Sequence, residues 1–272
     1  MAKENSFTFH NEVEIPAIGF GTWQIPNEEA YDAVTIALEN GYTHIDTALA
    51  YQNEENVGKA IKDFGIARED VFITSKLPAE IKGYEETLEA FNETMANLGI
   101  DYLDLYLIHA PWPWSEIGKD CTEENIQSWK AMEKLYNDGK IRTIGVSNFS
   151  EKDIQAILNA CEITPMANQI PFYIGRDQKS LLSFCKKQKI IVEAYSPLAT
   201  GQILDRSEIV KMAEKYGVTP AQLCIRYCLE HGTLPLPKST NKERIIENSK
   251  LDFSISSEDV QKLDAIEDIR AS

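Results

Sequence analysis

Residues Val71–His109 read VFITSKLPAEIKGYEETLEAFNETMANLGIDYLDLYLIH. Val71–Ser75 is a short, mostly apolar run, the pattern of a strand covered on both faces. Glu85–Leu98 then places Leu88, Phe91, Met95 and Leu98 at helical spacing. Gly99 follows, where a left-handed helix C-cap favours glycine. Asp104–Ile108 is a second apolar run. Strand, helix and strand in this order predict a parallel unit joined by a crossover helix.

The same alternation extends in both directions. Strand runs lie at Ala17–Thr22, Thr43–Asp46, Ile141–Val146, Met166–Gln169, Ile190–Ala194 and Leu234–Leu236. Helical patterns lie at Glu28–Glu39, Glu124–Asn137 and Glu151–Ala160, with Gly41 and Gly139 following the first two. Ser150 is placed to cap the third, with Asp153 as its reciprocal partner. About eight strand runs in a chain of 272 residues predict an α/β fold, a closed (β/α)8 TIM barrel. An open doubly wound sheet is the alternative. No linker or low-complexity tract divides the chain, so residues 1–272 are expected to form one domain. Ser6–Phe9 and Val13–Ile15 should pair as a hairpin closing the N-terminal end of the barrel. Ser207–His231 is too long for one crossover helix and should break near Gly217–Pro220. Ser256 should cap a final helix reaching Ile266.

The net charge of −16 argues against nucleic acid or anionic membranes as partners, since both need a basic footprint. No apolar run approaches the length of a membrane-spanning helix. Met1–Asn11 is polar and mixed, unlike a secretory leader. A cytoplasmic protein is expected, and its charged helix faces favour a monomer. Five cysteines, an odd number in a large chain, do not suggest a disulfide framework. Cys224, Cys228 and His231 could share one helix face, but no fourth ligand lies nearby in sequence. An apolar face without metal is the expectation.

In a TIM barrel, chemistry collects at the C-terminal ends of the strands. The runs end in, or lead into, Asp46, Ser75-Lys76, His109, Ser147-Asn148, Asn168-Gln169, Tyr195-Ser196 and Lys238-Ser239. Tyr51 follows Asp46 by five positions and is expected at the start of the next helix. Asp46, Tyr51, Lys76 and His109 form a coherent proton-transfer set. A free phenol, with pKa near 10, is a poor acid at neutral pH. An adjacent ammonium lowers it, and a shift of about 2 units needs roughly 2.7 kcal/mol. Asp46 would keep Lys76 charged. A neutral His109 would orient a carbonyl oxygen.

These segments resemble those of the aldo-keto reductase family, and within it the bacterial diketogluconate and glyoxal reductases. The resemblance rests on Gly19-Phe20-Gly21-Thr22-Trp23, Asp46 through Glu54, Thr74-Ser75-Lys76, Leu107-Ile108-His109, Gly145 through Phe149, Asn168-Gln169, Ala194 through Leu198, and Pro237-Lys238-Ser239 followed by Arg244 and Glu247-Asn248. They stand in the family's order over nearly the whole chain. The resemblance implies that Asp46, Tyr51, Lys76 and His109 are the catalytic tetrad, with Tyr51 the general acid in reduction. It implies that Ser147, Asn148 and Gln169 hold a nicotinamide carboxamide and that Tyr195 stacks on the ring. Gly21, Thr22, Trp23, Ser196, Pro197, Leu198, Gly201 and Thr240 would also lie along the cofactor.

The Rossmann fingerprint fails here, because Gln24 stands at the third glycine of G-x-G-x-x-G. Lys238, Ser239 and Arg244 instead converge on the start of a helix capped by Asn241, a dianion site. TIM barrels often bind phosphate after strands seven and eight. With the resemblance, the ligand implied is the 2′-phosphate of NADPH, with Arg244, Glu247 and Asn248 around the adenine. NADH is expected to bind more weakly.

Trp23, Tyr51, His109 and Trp112 are expected to line the pocket for a small carbonyl substrate. Trp114 is equally suited to rim packing. Gln52 replaces a frequent glycine of the family pattern. Ile170-Pro171 and the run His109-Ala110-Pro111-Trp112-Pro113 also depart from it. The chain ends soon after its last helix, so an open pocket with broad carbonyl acceptance is expected. Two alternatives remain: a Schiff-base lyase using Lys76 as nucleophile, and a non-catalytic NADPH-binding regulatory barrel.

Overall fold

The computed structural model describes residues 6–268. The first residues of the polar N-terminal stretch, the ends of the 1–272 span and the end of the chain lie outside them. A short antiparallel hairpin comes first, β1 (Ser6–Thr8) with β2 (Glu14–Pro16). Eight parallel strands follow: β3 (Phe20–Gly21), β4 (His44–Asp46), β5 (Phe72–Leu77), β6 (Leu103–Ile108), β7 (Ile141–Ser147), β8 (Ala167–Pro171), β9 (Ile191–Tyr195) and β10 (Leu234–Leu236). They pair in sequence order from β3 to β10. Gly19 N–H donates to Pro235 O at 3.1 Å and Gly21 N–H to Pro237 O at 3.0 Å, which joins β3 to β10. The sheet is thereby a barrel and not an open doubly wound sheet.

The seam explains the first two glycines of the failed fingerprint. A Cβ on Gly19 would overlap the His44 ring and meet Leu236 Cδ2 at 2.6 Å. A Cβ on Gly21 would lie 3.3 Å from Leu236 O. A larger residue at Gly19 would have to displace His44 and Leu236, and one at Gly21 would press on the Leu236 carbonyl.

The helices are α1 (Asn27–Glu39), α2 (Glu54–Phe64), α3 (Tyr84–Leu98), α4 (Thr122–Asn137), α5 (Glu151–Ala160), α6 (Lys179–Lys187), α7 (Ser207–Tyr216), α8 (Pro220–Glu230), α9 (Lys242–Asn248) and α10 (Ser257–Asp264). The break at Gly217 is present, with Pro220 in the first turn of α8 and Thr219 and Gln222 forming its capping box. Ser150 and Asp153 form the corresponding box at α5. Ser256 caps α10, which ends at Asp264, short of Ile266.

Strand alternation divides the core. Ile45, Ile73, Tyr106, Ile108, Ile144, Val146 and Val192 face outward against the helices. Phe72, Leu105, Leu107, Ala167, Leu234 and Leu236 face inward with Phe9 and Ile15 from the hairpin. His10 Nε2 contacts Thr164 O and Asn11 donates to Arg142 O, at the N-terminal ends of β8 and β7. The hairpin closes that end, as expected. Cys224 and Cys228 are buried in a second cluster outside the barrel, while His231 contacts Asp264 Oδ1 at 2.9 Å.

Candidate active site

Opposite the hairpin, a cavity of about 1150 Å³ opens across the C-terminal ends of the strands. Trp23, Tyr51, His109 and Trp114 line one end. Ser147, Asn148, Gln169 and Tyr195 line its middle, and Lys238, Ser239, Arg244, Glu247 and Asn248 the other end.

Asp46 is the last residue of β4, and its inward parity points it to the cavity floor. Lys76 was expected at the rim. It instead lies inside β5, one residue before the end, and is wholly buried beneath the cavity. Its ammonium donates to Asp46 Oδ1 at 2.7 Å and to Thr47 O at 2.8 Å. Tyr51 closes a 3-10 turn, Leu49–Tyr51, and does not begin α2. The Lys76 ammonium lies 5.0 Å from the centre of the Tyr51 ring. The Tyr51 hydroxyl is 3.5 Å from His109 Nε2, at the limit of a hydrogen bond. These four side chains form one cluster.

Burial pushes the Tyr51 phenol above its ordinary value, and the Asp46 carboxylate adds to this. The Lys76 ammonium opposes both without reversing them. The expected net lowering is therefore corrected: desolvation outweighs the cation, and Tyr51 keeps its proton. Burial lowers the Lys76 ammonium, but Asp46 and Tyr51 more than reverse this, so Lys76 stays charged. That disfavours the Schiff-base reading, which needs a neutral, unpaired amine. Burial, with Lys76 and Lys82, lowers the His109 imidazole to about 3, so it is neutral near pH 7.

Around the middle of the cavity, hydrogen bonds fix the side chains. Ser147 Oγ donates to Gln169 O at 2.8 Å. Asn148 donates to His109 O and to Ser147 Oγ, both at 3.0 Å. Tyr195 donates its hydroxyl to Asn148 Oδ1 at 2.8 Å. Asn148 has a left-handed backbone (φ 61°), which asparagine tolerates better than most residues. Ser196, Pro197, Leu198 and Gly201 continue the wall, and Gly21 stands beside Trp23.

At the far end, Lys238 and Arg244 are exposed, and neither has a carboxylate partner among the described residues. Asn241 caps α9 by accepting from Arg244 N–H at 2.9 Å. Because α9 spans only seven residues, the two side chains and Ser239, not the helix terminus, carry the anion-binding chemistry. Polar amide groups in the middle of the cavity and cations at its far end could hold a phosphorylated dinucleotide.

Three assigned residues lie elsewhere. Thr22 is buried and donates to Asp46 O at 3.0 Å, behind the wall. Thr240 is exposed and off the cavity. Trp112 packs edge-on behind Trp114, with ring centres 5.1 Å apart, and lines a separate small cavity. Trp114, whose ring also meets His109 edge-on at 5.8 Å, takes the wall position assigned to Trp112. The sequence reading also missed Glu193, His44 and the stretch Thr219-Pro220-Ala221. Glu193 had a signal, since an acid inside an apolar strand is seldom buried unless paired. Thr219-Pro220-Ala221 had none, because only the packing of α8 beside β10 brings it to the cavity.

The Aldo/keto reductase family model matches residues 17–268. Glyoxal reductase of Bacillus subtilis (strain 168) is 47% identical over 265 residues, covering 97% of this chain and 93% of that protein. An aldehyde reductase of Saccharomyces cerevisiae is 39% identical over 272 residues, covering 92% and 86%. The crystal structure of an aldo/keto reductase from Brucella melitensis superposes with a TM-score of 0.90 at 40% identity, over 95% of this chain and 98% of that one.

Proposed function

Because the chain belongs to the aldo/keto reductase family, we propose that it reduces aldehydes and ketones to alcohols with NADPH, Tyr51 supplying the proton. The observation that carries this reading is the placement of Tyr51 and His109 on the cavity directly above the buried Asp46–Lys76 pair. The non-catalytic alternative would be favoured by a damaged tetrad, and all four side chains are present together.

When bound, NADPH supplies the hydride. Neutral His109 can orient the carbonyl oxygen beside Tyr51. As negative charge develops on that oxygen, Tyr51 gives up its proton, and the Lys76 ammonium stabilises the phenolate left behind. Asp46 holds that ammonium in place and charged. Ser147, Asn148 and Gln169 are suited to the nicotinamide amide, and the Tyr195 ring to its face. Lys238, Ser239 and Arg244 are suited to the 2′-phosphate. Trp23 and Trp114 offer apolar walls for a small carbonyl compound. We read residues 1–272 as one domain of a cytoplasmic monomer without nucleic-acid or membrane partners. The net charge of −16 supports that, and among the described residues no helix is long and apolar enough to cross a membrane.

The test follows NADPH absorbance with a panel of carbonyl compounds that includes methylglyoxal. Wild type should consume NADPH with at least one of them. No reduction across the panel would leave the non-catalytic barrel as the better reading.

A further inference from the structure

The floor of the cavity holds more acid than the tetrad uses. Glu193, on β9, is wholly buried and stands in register with Gln169 on β8 and Leu234 on β10. Gln169 Nε2 donates to Glu193 Oε2 at 3.0 Å and to Asp46 Oδ2 at 2.8 Å. Both amide protons are thereby used. The other Glu193 oxygen, Oε1, is buried without a hydrogen-bond partner.

The charges at this floor do not balance. From β4, Asp46 and His44 face Glu193; from β5, Lys76; from β8, uncharged Gln169; from β10, apolar Leu234. The one ammonium is held by Asp46 and Thr47 O. His44 Nε2 lies 3.9 Å from Glu193 Oε1 but contacts Thr74 Oγ1 at 3.0 Å. Burial and Lys76 lower its imidazole to about 3, so it supplies no countercharge. An ionised Glu193 would be a second buried carboxylate against a single cation, which is strongly unfavourable.

We propose that Glu193 is a positioning residue that holds a proton at neutral pH, orients the Gln169 amide, and leaves Asp46–Lys76 as the charged pair of the floor. Burial, reinforced by the Asp46 carboxylate, pushes the Glu193 carboxyl up to about 8, with Gln169 and Lys76 offsetting part of the rise. Asp46 Oδ2 and the unprotonated Glu193 Oε2 both accept from Gln169, which turns its nitrogen downward and leaves the Glu193 proton on Oε1. Its Oε1, which has no partner among the described residues, is left on the cavity side as an acceptor. As pH rises, Glu193 gives its proton to solvent. The new negative charge offsets the field of Lys76 at Tyr51, the phenol becomes a weaker acid, and reduction slows.

The inference rests on the reductase reading, and the experiment separates the two. The rate constant kcat/KM for carbonyl reduction is measured from about pH 6 to about pH 10 in wild type and Glu193→Gln. Wild type should lose activity above about pH 8, and the variant should lose it at least about one pH unit higher. Coincident profiles overturn the proposal. Infrared spectra of wild type carrying 13C-glutamate give a readout independent of activity and of the variant's folding. A protonated-carboxyl stretch should disappear between about pH 7 and about pH 9.5, and should persist in Glu54→Gln at neutral pH, since Glu54 is the other buried glutamate with a raised pKa. Its absence at pH 7 overturns the proposal. If no carbonyl compound is reduced, the reductase reading fails, and the infrared result still decides where the proton is.

Discussion

In the proposed reaction Tyr51 meets two opposed requirements: it keeps its proton until a carbonyl oxygen develops charge, and then releases it. Desolvation meets the first, since the phenol stands above its ordinary pKa, and the Lys76 ammonium serves the second. Tyr51→Phe should bind NADPH as wild type does, by fluorescence titration, while its reduction rate falls by orders of magnitude. Wild-type turnover in that variant would sink the acid assignment. Lys76 also has a structural role, because its loss leaves Asp46 buried without a countercharge. Lys76→Met should destabilise the protein by about 3–5 kcal/mol in urea unfolding as well as abolish reduction. A loss below about 1 kcal/mol would mean that Asp46 finds a proton or another partner.

The elements that carry the site show strain at particular points. Gln52 follows the 3-10 turn that presents Tyr51, with a left-handed backbone (φ 57°). Left-handed geometry costs an L-residue about 1–2 kcal/mol, while glycine loses about 0.5–1 kcal/mol of chain entropy. Gln52→Gly should therefore be neutral or stabilising by up to about 1 kcal/mol in urea unfolding, with activity kept. A clear destabilisation would show that the Gln52 side chain makes a contact that matters. At the other end of the cavity, Lys238 before the short helix α9 and Arg244 in its first turn have no carboxylate partners among the described residues. Lys238→Ala and Arg244→Ala should each raise the Kd for NADPH more than that for NADH in binding titrations. Equal effects on both would remove the 2′-phosphate assignment.

For the whole molecule, three buried titratable groups of the barrel, His44, His109 and Glu193, favour a stability optimum. His44 and His109 have folded pKa values near 3, below the ordinary 6.5, so their contribution is present above about pH 6.5 and lost as pH falls. Glu193 is raised to about 8, so its contribution is full below about pH 4.5 and lost as pH rises through 8. At about pH 5.5 the unfolded chain gains nearly two protons on the histidines, while the folded chain keeps one on Glu193. Stability then rises with pH, by roughly 1 kcal/mol per unit. Above about pH 6.5 the sign reverses. These three groups place the optimum near pH 6.5, and Glu193→Gln should flatten the alkaline side in urea unfolding across pH. An alkaline limb unchanged in that variant would count against the Glu193 assignment. The sequence by itself determined the alternation of apolar runs and amphipathic helices, hence an α/β fold with about eight parallel strands, because strand and helix periodicities are local properties. It also picked out Asp46, Tyr51, Lys76 and His109 by residue type and order, and these four side chains cluster. It could not show that Lys76 lies within its strand, that Trp114 takes the wall position assigned to Trp112, or that Glu193 shares an amide with Asp46. Those depend on inward parity around a closed sheet and on loop packing, which bring together residues far apart in the chain. Only closure of the barrel decided how many buried acids meet one ammonium, and therefore which of them holds a proton.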